Sequence, residues 1–102
     1  MKFELNKKYK LSTIQDGEEI VFYGTILYMK YDDVVLFCSE SKDDNVTEAF
    51  TNKSEDTYYY CPEYELLSDK DKGIWDEQIN LFTSDKDTLI SCTGFVFTVT
   101  EI

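Results

Sequence analysis

The clearest structural signal in the chain comes from residues 2–31, KFELNKKYKLSTIQDGEEIVFYGTILYMKY. Its first part alternates between apolar and polar residues, and this period of two predicts a strand with one solvated face. The apolar positions of that face are Phe3, Leu5, Tyr9 and Leu11, with Lys7 as the exception. Asp16-Gly17 then separates two apolar runs, which is a typical hairpin signal. The return run, Glu19 to Tyr31, is apolar on both parities, which predicts a strand covered on both faces with a bulge or bend at Gly24.

The middle of the chain alternates between short strands and polar loops. Asp32-Asp33 is expected to turn the chain into a third strand over Val34 to Ser39, which is β-branched and aromatic. Residues 40–56 are mostly polar and turn-rich, which predicts a long exposed loop. Thr57 to Cys61 is a candidate strand that ends at Pro62, because proline removes a donor from the ladder.

The C-terminal part predicts one helix and one strand. Ser68 can cap a helix whose first turn carries Asp69 and Asp71, where carboxylates suit the helix dipole. Three apolar residues then follow at the helical spacing i, i+4 and i+7, namely Trp75, Ile79 and Phe82, which favours a helix over residues 69–82 with a strand as the alternative. After a turn at residues 85–87, the run Leu89 to Thr100 alternates and predicts a single strand.

Together these elements predict a mainly β protein, with α+β as the alternative. We expect one domain over residues 1–102, built as a small twisted antiparallel sheet or partly open small barrel of about five strands with at most one short helix. The segment Lys7 to Ser39 runs strand, Asp-Gly turn, long bent strand, Asp-Asp turn, strand, and it resembles the meander of Sm-like and SH3-like small barrels. The resemblance implies a fold only, since no binding motif of those families is matched.

The composition excludes several kinds of chemistry. The chain has a formal net charge of −11 and contains neither histidine nor arginine. Without imidazole, Ser-His-Asp and Cys-His catalysis and His-ligated zinc are excluded. The Gly-rich phosphate-binding loops are missing, and the run Asp69-x-Asp71-x-Gly73 does not match a calcium-binding loop. With 21 acids, neighbouring carboxylates arise by chance and do not indicate glycosidase chemistry. We therefore expect no enzymatic activity, no cofactor and no metal.

The cysteines and the lengths of the apolar runs indicate where in the cell the protein is located. Cys38, Cys61 and Cys92 lack C-x-x-C spacing, and we interpret each as a small apolar residue in a reduced protein. The residues after Met1 show no apolar leader, and no stretch approaches the roughly 18 apolar residues of a membrane helix. These observations predict a cytoplasmic protein, located in the host cytoplasm if a phage encodes it.

The negative charge is concentrated in the middle of the chain. Residues 1–30 carry five lysines and four acids, residues 31–87 carry five lysines and sixteen acids, and residues 88–102 carry Glu101 alone. Within the middle part, acids recur as neighbours or two apart, interspersed with tyrosines. In extended backbone, residues two apart point the same way about 7 Å apart. The pattern therefore predicts a surface of spaced anions and flat rings, which is the combination that nucleic acid presents.

We expect this surface to act as a non-enzymatic inhibitor that occupies a basic, nucleic-acid-binding site on a partner protein. Two settings would select it: a phage counter-defence protein of the anti-CRISPR type, acting on a nuclease or CRISPR effector, and a toxin-immunity protein. Direct binding to nucleic acid or membrane is not expected. The expected contact residues are Asp43, Asp44, Glu55, Asp56, Tyr58, Tyr59, Glu63, Tyr64, Glu65, Asp69 and Asp71.

The sequence leaves three other interpretations open. Acidic loops on a small domain commonly serve solubility alone, and Tyr58 and Tyr60 on one strand face can belong to the core. A small-barrel module could instead bind a metabolite or signalling nucleotide in an aromatic pocket, with Lys7, Lys8 and Lys10 supplying charge for an anionic ligand. A structural subunit would assemble through an exposed strand edge.

Overall fold

Six antiparallel strands close into a barrel in the computed structural model, which describes residues 2–44, 46, 50 and 64–102. Neighbouring strands pair in sequence order, and β6 pairs with β1 to close the barrel. The strands are β1 Lys8–Gln15, β2 Glu18–Lys30, β3 Asp33–Ser39, β4 Ile79–Asp85, β5 Thr88–Ser91 and β6 Val96–Glu101. A 3₁₀ turn at Tyr64–Leu66 and one helix, α1 at Asp69–Gln78, lie between β3 and β4. The predicted mainly β fold is confirmed, and the described strands form a closed barrel.

The β1–β2 hairpin forms where the sequence predicts it. Asp16 and Gly17 both have positive φ, 52° and 81°, as a two-residue type I′ turn requires. However, β1 begins only at Lys8, because Asn6 adopts a left-handed conformation with φ of 63° and turns the chain. Residues 2–7 therefore lie outside the ladder. Phe3 still packs against the barrel core, with its ring 5.5 Å from that of Tyr9.

A bulge explains why β2 is apolar on both parities. The pairing between β2 and β3 shifts register between Ile26 and Tyr28, so Leu27 is the extra residue. Ile26 belongs to the core inside the barrel, whereas Leu27 packs outside it. The sequence predicted a bulge or bend at Gly24, and the bulge lies instead at Leu27. Gly24 pairs regularly with β1 and β3, and it is glycine because a Cβ there would lie 2.3 Å from Leu36 Cδ2.

The turn between β2 and β3 differs by one residue from the prediction. It is centred on Tyr31 and Asp32, and Asp33 is already the first residue of β3. Tyr31 has φ of 56° and is 93% exposed. The loop predicted over residues 40–56 is described only at residues 40–44, 46 and 50. Of these, Phe50 is buried, because it stacks on Phe37 with ring centroids 5.5 Å apart. The predicted strand over residues 57–61, with Pro62 after it, lies outside the described residues.

Helix α1 begins as predicted and ends earlier. The amide of Asp71 donates to Ser68 Oγ at 3.2 Å, which caps the first turn. The helix stops at Gln78, and Ile79 pairs with Phe37 on β3 as the first residue of β4. The helical spacing of Ile79 and Phe82 was misleading, because pairing with β3 places Phe82 in the barrel core. A strand therefore replaces the predicted last turns of the helix.

The predicted final strand is in fact two strands, β5 and β6. A turn at residues 92–95 separates them, and Gly94 has the positive φ of 91° that the turn needs. Ser91 secures this turn, since its hydroxyl accepts from the amide of Phe95 at 3.1 Å and its carbonyl accepts from the amide of Gly94 at 2.9 Å.

The barrel packs two apolar clusters, one inside and one outside. The inner cluster fills the lumen with Tyr9, Leu11, Ile26, Val34, Leu36, Phe82, Leu89, Phe97 and Val99. The outer cluster joins the helix to the outer face of the sheet through Leu27, Phe37, Phe50 and Trp75. Trp75 is the one buried residue of α1, so this side chain anchors the helix. In the described part of the chain, no helix has the length and apolar character to cross a membrane.

Candidate functional site

The two ends of the barrel differ in how they are filled. We call the upper end the one that carries the β1–β2 turn, the end of β3 and the β5–β6 turn; the other two hairpin turns lie at the lower end. Near the lower end, Phe3 packs against Tyr9, whose hydroxyl accepts from the amide of Glu4 at 3.0 Å. At the upper end the lumen opens into a pocket of about 640 Å³. We call this pocket the barrel mouth.

The mouth is open because its upper layer consists of small or polar side chains. Cys38, Asn80 and Ser91 line it, each two residues along its strand from a buried apolar side chain. Those buried side chains below them are Leu36, Phe82 and Leu89. Since side chains two apart on a strand share a face, the large residues fill the lumen and the small ones leave it empty above.

Three phenylalanines form the floor of the mouth. The ring of Phe97 packs edge-to-face with Phe22, at a centroid distance of 5.1 Å, and with Phe82, at 5.7 Å. Cys38 lies beside them, and burial raises the pKa of its thiol to about 12, although a hydrogen bond from Asn80 opposes the shift. The thiol is therefore neutral at physiological pH and contributes an apolar surface instead of a nucleophile.

The rim of the mouth is acidic. Glu40, after β3, Asp44, in the turn that follows, and Glu77, near the end of α1, are exposed and line the opening. No lysine is found among the described residues that line it. Carboxylates around an apolar floor favour a positively charged group and repel an anion. The mouth is thus suited to a cation with an apolar body.

Two of the three lysines predicted for an anionic ligand have partners within the protein. Lys7 pairs with Glu101 at 2.7 Å and with Glu4 at 3.4 Å, and this interaction raises the pKa of Lys7 and lowers that of Glu101. The ammonium group of Lys8 donates to the backbone carbonyls of Lys42 and Asp44 and so holds the segment after β3. Among the described residues, none of the three lysines predicted for an anionic ligand, Lys7, Lys8 and Lys10, lines the mouth.

Only some of the predicted contact residues are near the mouth. Asp44 is on its rim, and Asp43 is exposed beside it in a turn where its amide donates to Ser41 Oγ. Glu65 and Asp69 are exposed on the 3₁₀ turn and α1, and Asp71 is half-buried there; none of the three lines the mouth. The other predicted residues, Glu55, Asp56, Tyr58, Tyr59 and Glu63, lie outside the described part of the chain.

Tyr64, the remaining predicted anchor, is already engaged within the protein. It is half-buried against the outer cluster, and its hydroxyl donates to both carboxylate oxygens of Asp76 at 3.3 Å. Lys72 lies over its ring, 5.4 Å from the centroid. Desolvation and the charge of Asp76 raise the pKa of the phenol. These contacts fit a structural role in attaching the 3₁₀ turn to α1.

Sequence reasoning missed Glu40, Glu77 and the phenylalanine floor. The described acids also do not form one patch, because Asp32 lies in the β2–β3 turn and Asp85 ends β4, both at the lower end. Among the described residues, no group of three or more Cys, Asp or Glu is arranged to hold a metal ion. In comparisons with known proteins, no family model, no curated protein and no solved structure matches the chain.

Proposed function

We propose that the protein is a non-enzymatic binding module that holds a basic segment of a partner protein at the barrel mouth and thereby blocks that segment. The observation that carries the proposal is the ring of Glu40, Asp44 and Glu77 around a phenylalanine floor, with no lysine among the described lining residues. The partner is a protein whose basic site normally binds nucleic acid, such as a nuclease or CRISPR effector, or a cationic toxin, met in the cytoplasm.

A lysine or arginine side chain fits the mouth with both its aliphatic stem and its charged head. Its aliphatic stem can cover the apolar floor while its charged head stays among the rim carboxylates. Aromatic ring faces also attract cations. Each exposed ion pair contributes only about 0.2–1 kcal/mol, so the rim supplies steering and selectivity, and the buried stem adds affinity. Binding should therefore weaken as salt increases.

A small cationic ligand is the second candidate, and the size of the mouth supports it. A volume of about 640 Å³ lies within the range of small-molecule sites, roughly 300–1,000 Å³. The acidic rim favours an amine over the signalling nucleotide considered from the sequence. Native mass spectrometry of the purified protein distinguishes this candidate, since a retained small molecule would add a discrete mass.

The test uses octalysine as the probe and isothermal titration calorimetry at low and physiological salt. The double variant Glu40→Gln/Glu77→Gln removes two rim charges, and we expect about fivefold weaker binding, from about 0.5 kcal/mol per exposed pair. The matched control Asp32→Asn/Asp85→Asn changes the net charge equally at the lower end and should weaken binding less than about twofold. Equal weakening by both variants would show that total charge alone matters and would contradict the proposal.

A further inference from the structure

The upper part of β2 extends beyond its neighbour β3. The ladder between them ends at the pair of Tyr23 with Ser39, whereas the ladder with β1 continues to the pair of Gln15 with Glu18. Among the described residues, therefore, residues 18–22 have a pairing partner on the β1 side and none on the other side. We call this side the open edge of β2. Five strand residues span about 17 Å, which is enough to receive a short strand.

The direction of the backbone groups follows from the hydrogen bonds that β2 makes with the two residues just before β1, together with the unbroken register of the β1–β2 ladder. Ile26 donates its amide to the Lys7 carbonyl at 3.1 Å, and its carbonyl accepts from the Asn6 amide at 2.7 Å. In an antiparallel pair, alternate residues hydrogen-bond to the same neighbour. The backbone amide and carbonyl groups of the even-numbered residues from 18 to 26 thus point toward β1. Those of Glu19 and Val21 point the other way, toward the open edge.

The open edge borders the mouth. Residues Ile20, Val21 and Phe22 line it together with Glu40 and Asp44. Ile20 is 37% exposed, and Phe95 across the opening is 43% exposed, so both present apolar surface to a ligand. A strand added at this edge would direct alternate side chains into the mouth. The acidic rim then selects lysine or arginine at those positions.

We propose that the open edge of β2 binds the basic segment of the partner as an added β-strand, with alternate basic side chains directed into the mouth. This inference rests on the proposed function and specifies its binding mode. A second copy of this chain is a poorer occupant, because each copy carries a net charge of −11 and the same rim carboxylates. Backbone hydrogen bonds would supply affinity and the rim would supply the preference for basic residues.

The probe for this proposal is a capped seven-residue peptide of alternating lysine and valine. Val21→Pro removes the amide donor at the open edge and leaves the hydrogen bonds of Ile20 and Phe22 to β1 in place. We expect about tenfold weaker peptide binding. The matched control is Ile14→Pro, because Ile14 lies beyond the β1–β6 ladder, whose last pair is Ser12 with Thr98. This control should change the affinity less than about twofold.

Hydrogen exchange of the unmutated protein gives a second measurement that does not depend on how the proline variants fold. The amides of Glu19 and Val21 should exchange quickly in the isolated chain and become protected when the peptide is added. Protection of these amides without peptide would show that the edge is already paired and would overturn the proposal. A dimer seen in sedimentation that Val21→Pro dissociates would also overturn it, because a second copy would then occupy the edge. If Glu40→Gln/Glu77→Gln weakens peptide binding and Val21→Pro does not, strand addition is refuted and the proposed function remains. If neither variant weakens peptide binding, strand addition and the proposed function are both refuted.

Discussion

Replacing Gly24 with alanine tests how the lumen below the mouth is filled. A Cβ at this position would lie 2.3 Å from Leu36 Cδ2 and 3.3 Å from both Leu36 Cβ and Leu11 Cδ1. Ordinary carbon contacts are about 3.5–4.0 Å, so the nearest contact is more than 1 Å too short. Leu36 and Leu11 are both fully buried, which leaves Leu36 little room to move away.

The expected loss of stability follows from two opposing effects. Overpacking a filled core costs about 1–3 kcal/mol, and replacing a strand glycine returns about 0.5–1 kcal/mol of backbone entropy. We expect Gly24→Ala to lower the free energy of unfolding by about 1–2 kcal/mol and the Tm by about 5–15 °C. Gly73→Ala is the matched control. A Cβ at Gly73 in α1 would meet no atom within 4 Å, so this change should stabilise by about 0.5–1 kcal/mol.

Urea denaturation, followed by circular dichroism and by the fluorescence of the single tryptophan, measures both variants. The opposite signs of the two alanine substitutions are the discriminating result. If Gly24→Ala proved as stable as the unmodified protein, Leu36 could not be packed against the backbone of β2 as described. Its m-value should stay constant, because the contact changes stability and leaves the area exposed on unfolding the same.

Two further predictions concern titrating groups. Because the pKa of Cys38 is about 12, its thiol should react with iodoacetamide at pH 8 about a thousandfold more slowly than an ordinary exposed cysteine, and the rate should increase as the pH rises. Peptide mass mapping would compare the alkylation rate of Cys38 with that of the exposed Cys92. Equal rates would contradict the burial of the Cys38 thiol. Lys7→Gln should raise the lowered carboxyl pKa of Glu101 toward its ordinary value in an NMR titration, whereas the control Lys2→Gln should leave it unchanged. The stability that the ionised Glu101 contributes is present above the pKa of this carboxyl in the unfolded chain, and it is lost as the pH falls through its lower pKa in the folded protein.

The local signals in the sequence were reliable where one residue type determines backbone geometry. The Asp16-Gly17 hairpin and the Ser68 cap are both confirmed, because a type I′ turn and a capped amide depend on immediate neighbours. The prediction failed where a partner strand decides the outcome. Ile79 and Phe82 have helical spacing, yet β3 recruits both residues into a strand. Periodicity alone cannot include a partner strand that lies some 40 residues away in the sequence.

The candidate site was predicted only in its general character. The sequence indicated acidic loops near aromatic residues, and of the contact residues expected from it, Asp44 lies on the rim of the mouth. The partners of Asp44 were not predictable, since Glu40 and Glu77 become neighbours only when β4 pairs with β3. The expected anchor Tyr64 proved to be engaged by Asp76 and Lys72, contacts that no residue-type preference indicates.

Residue content and local patterning by themselves determined the class of fold, the hairpin at Asp16-Gly17, the start of α1 and the exclusion of imidazole and arginine chemistry. These properties depend on which residues exist and on their near neighbours. Which end of the barrel is open depends on how the strands pack together, because a pocket forms from the sizes of side chains on several strands. The mouth is lined by Cys38, Asn80 and Ser91 from three different strands, and these residues come together only when β3, β4 and β5 pair.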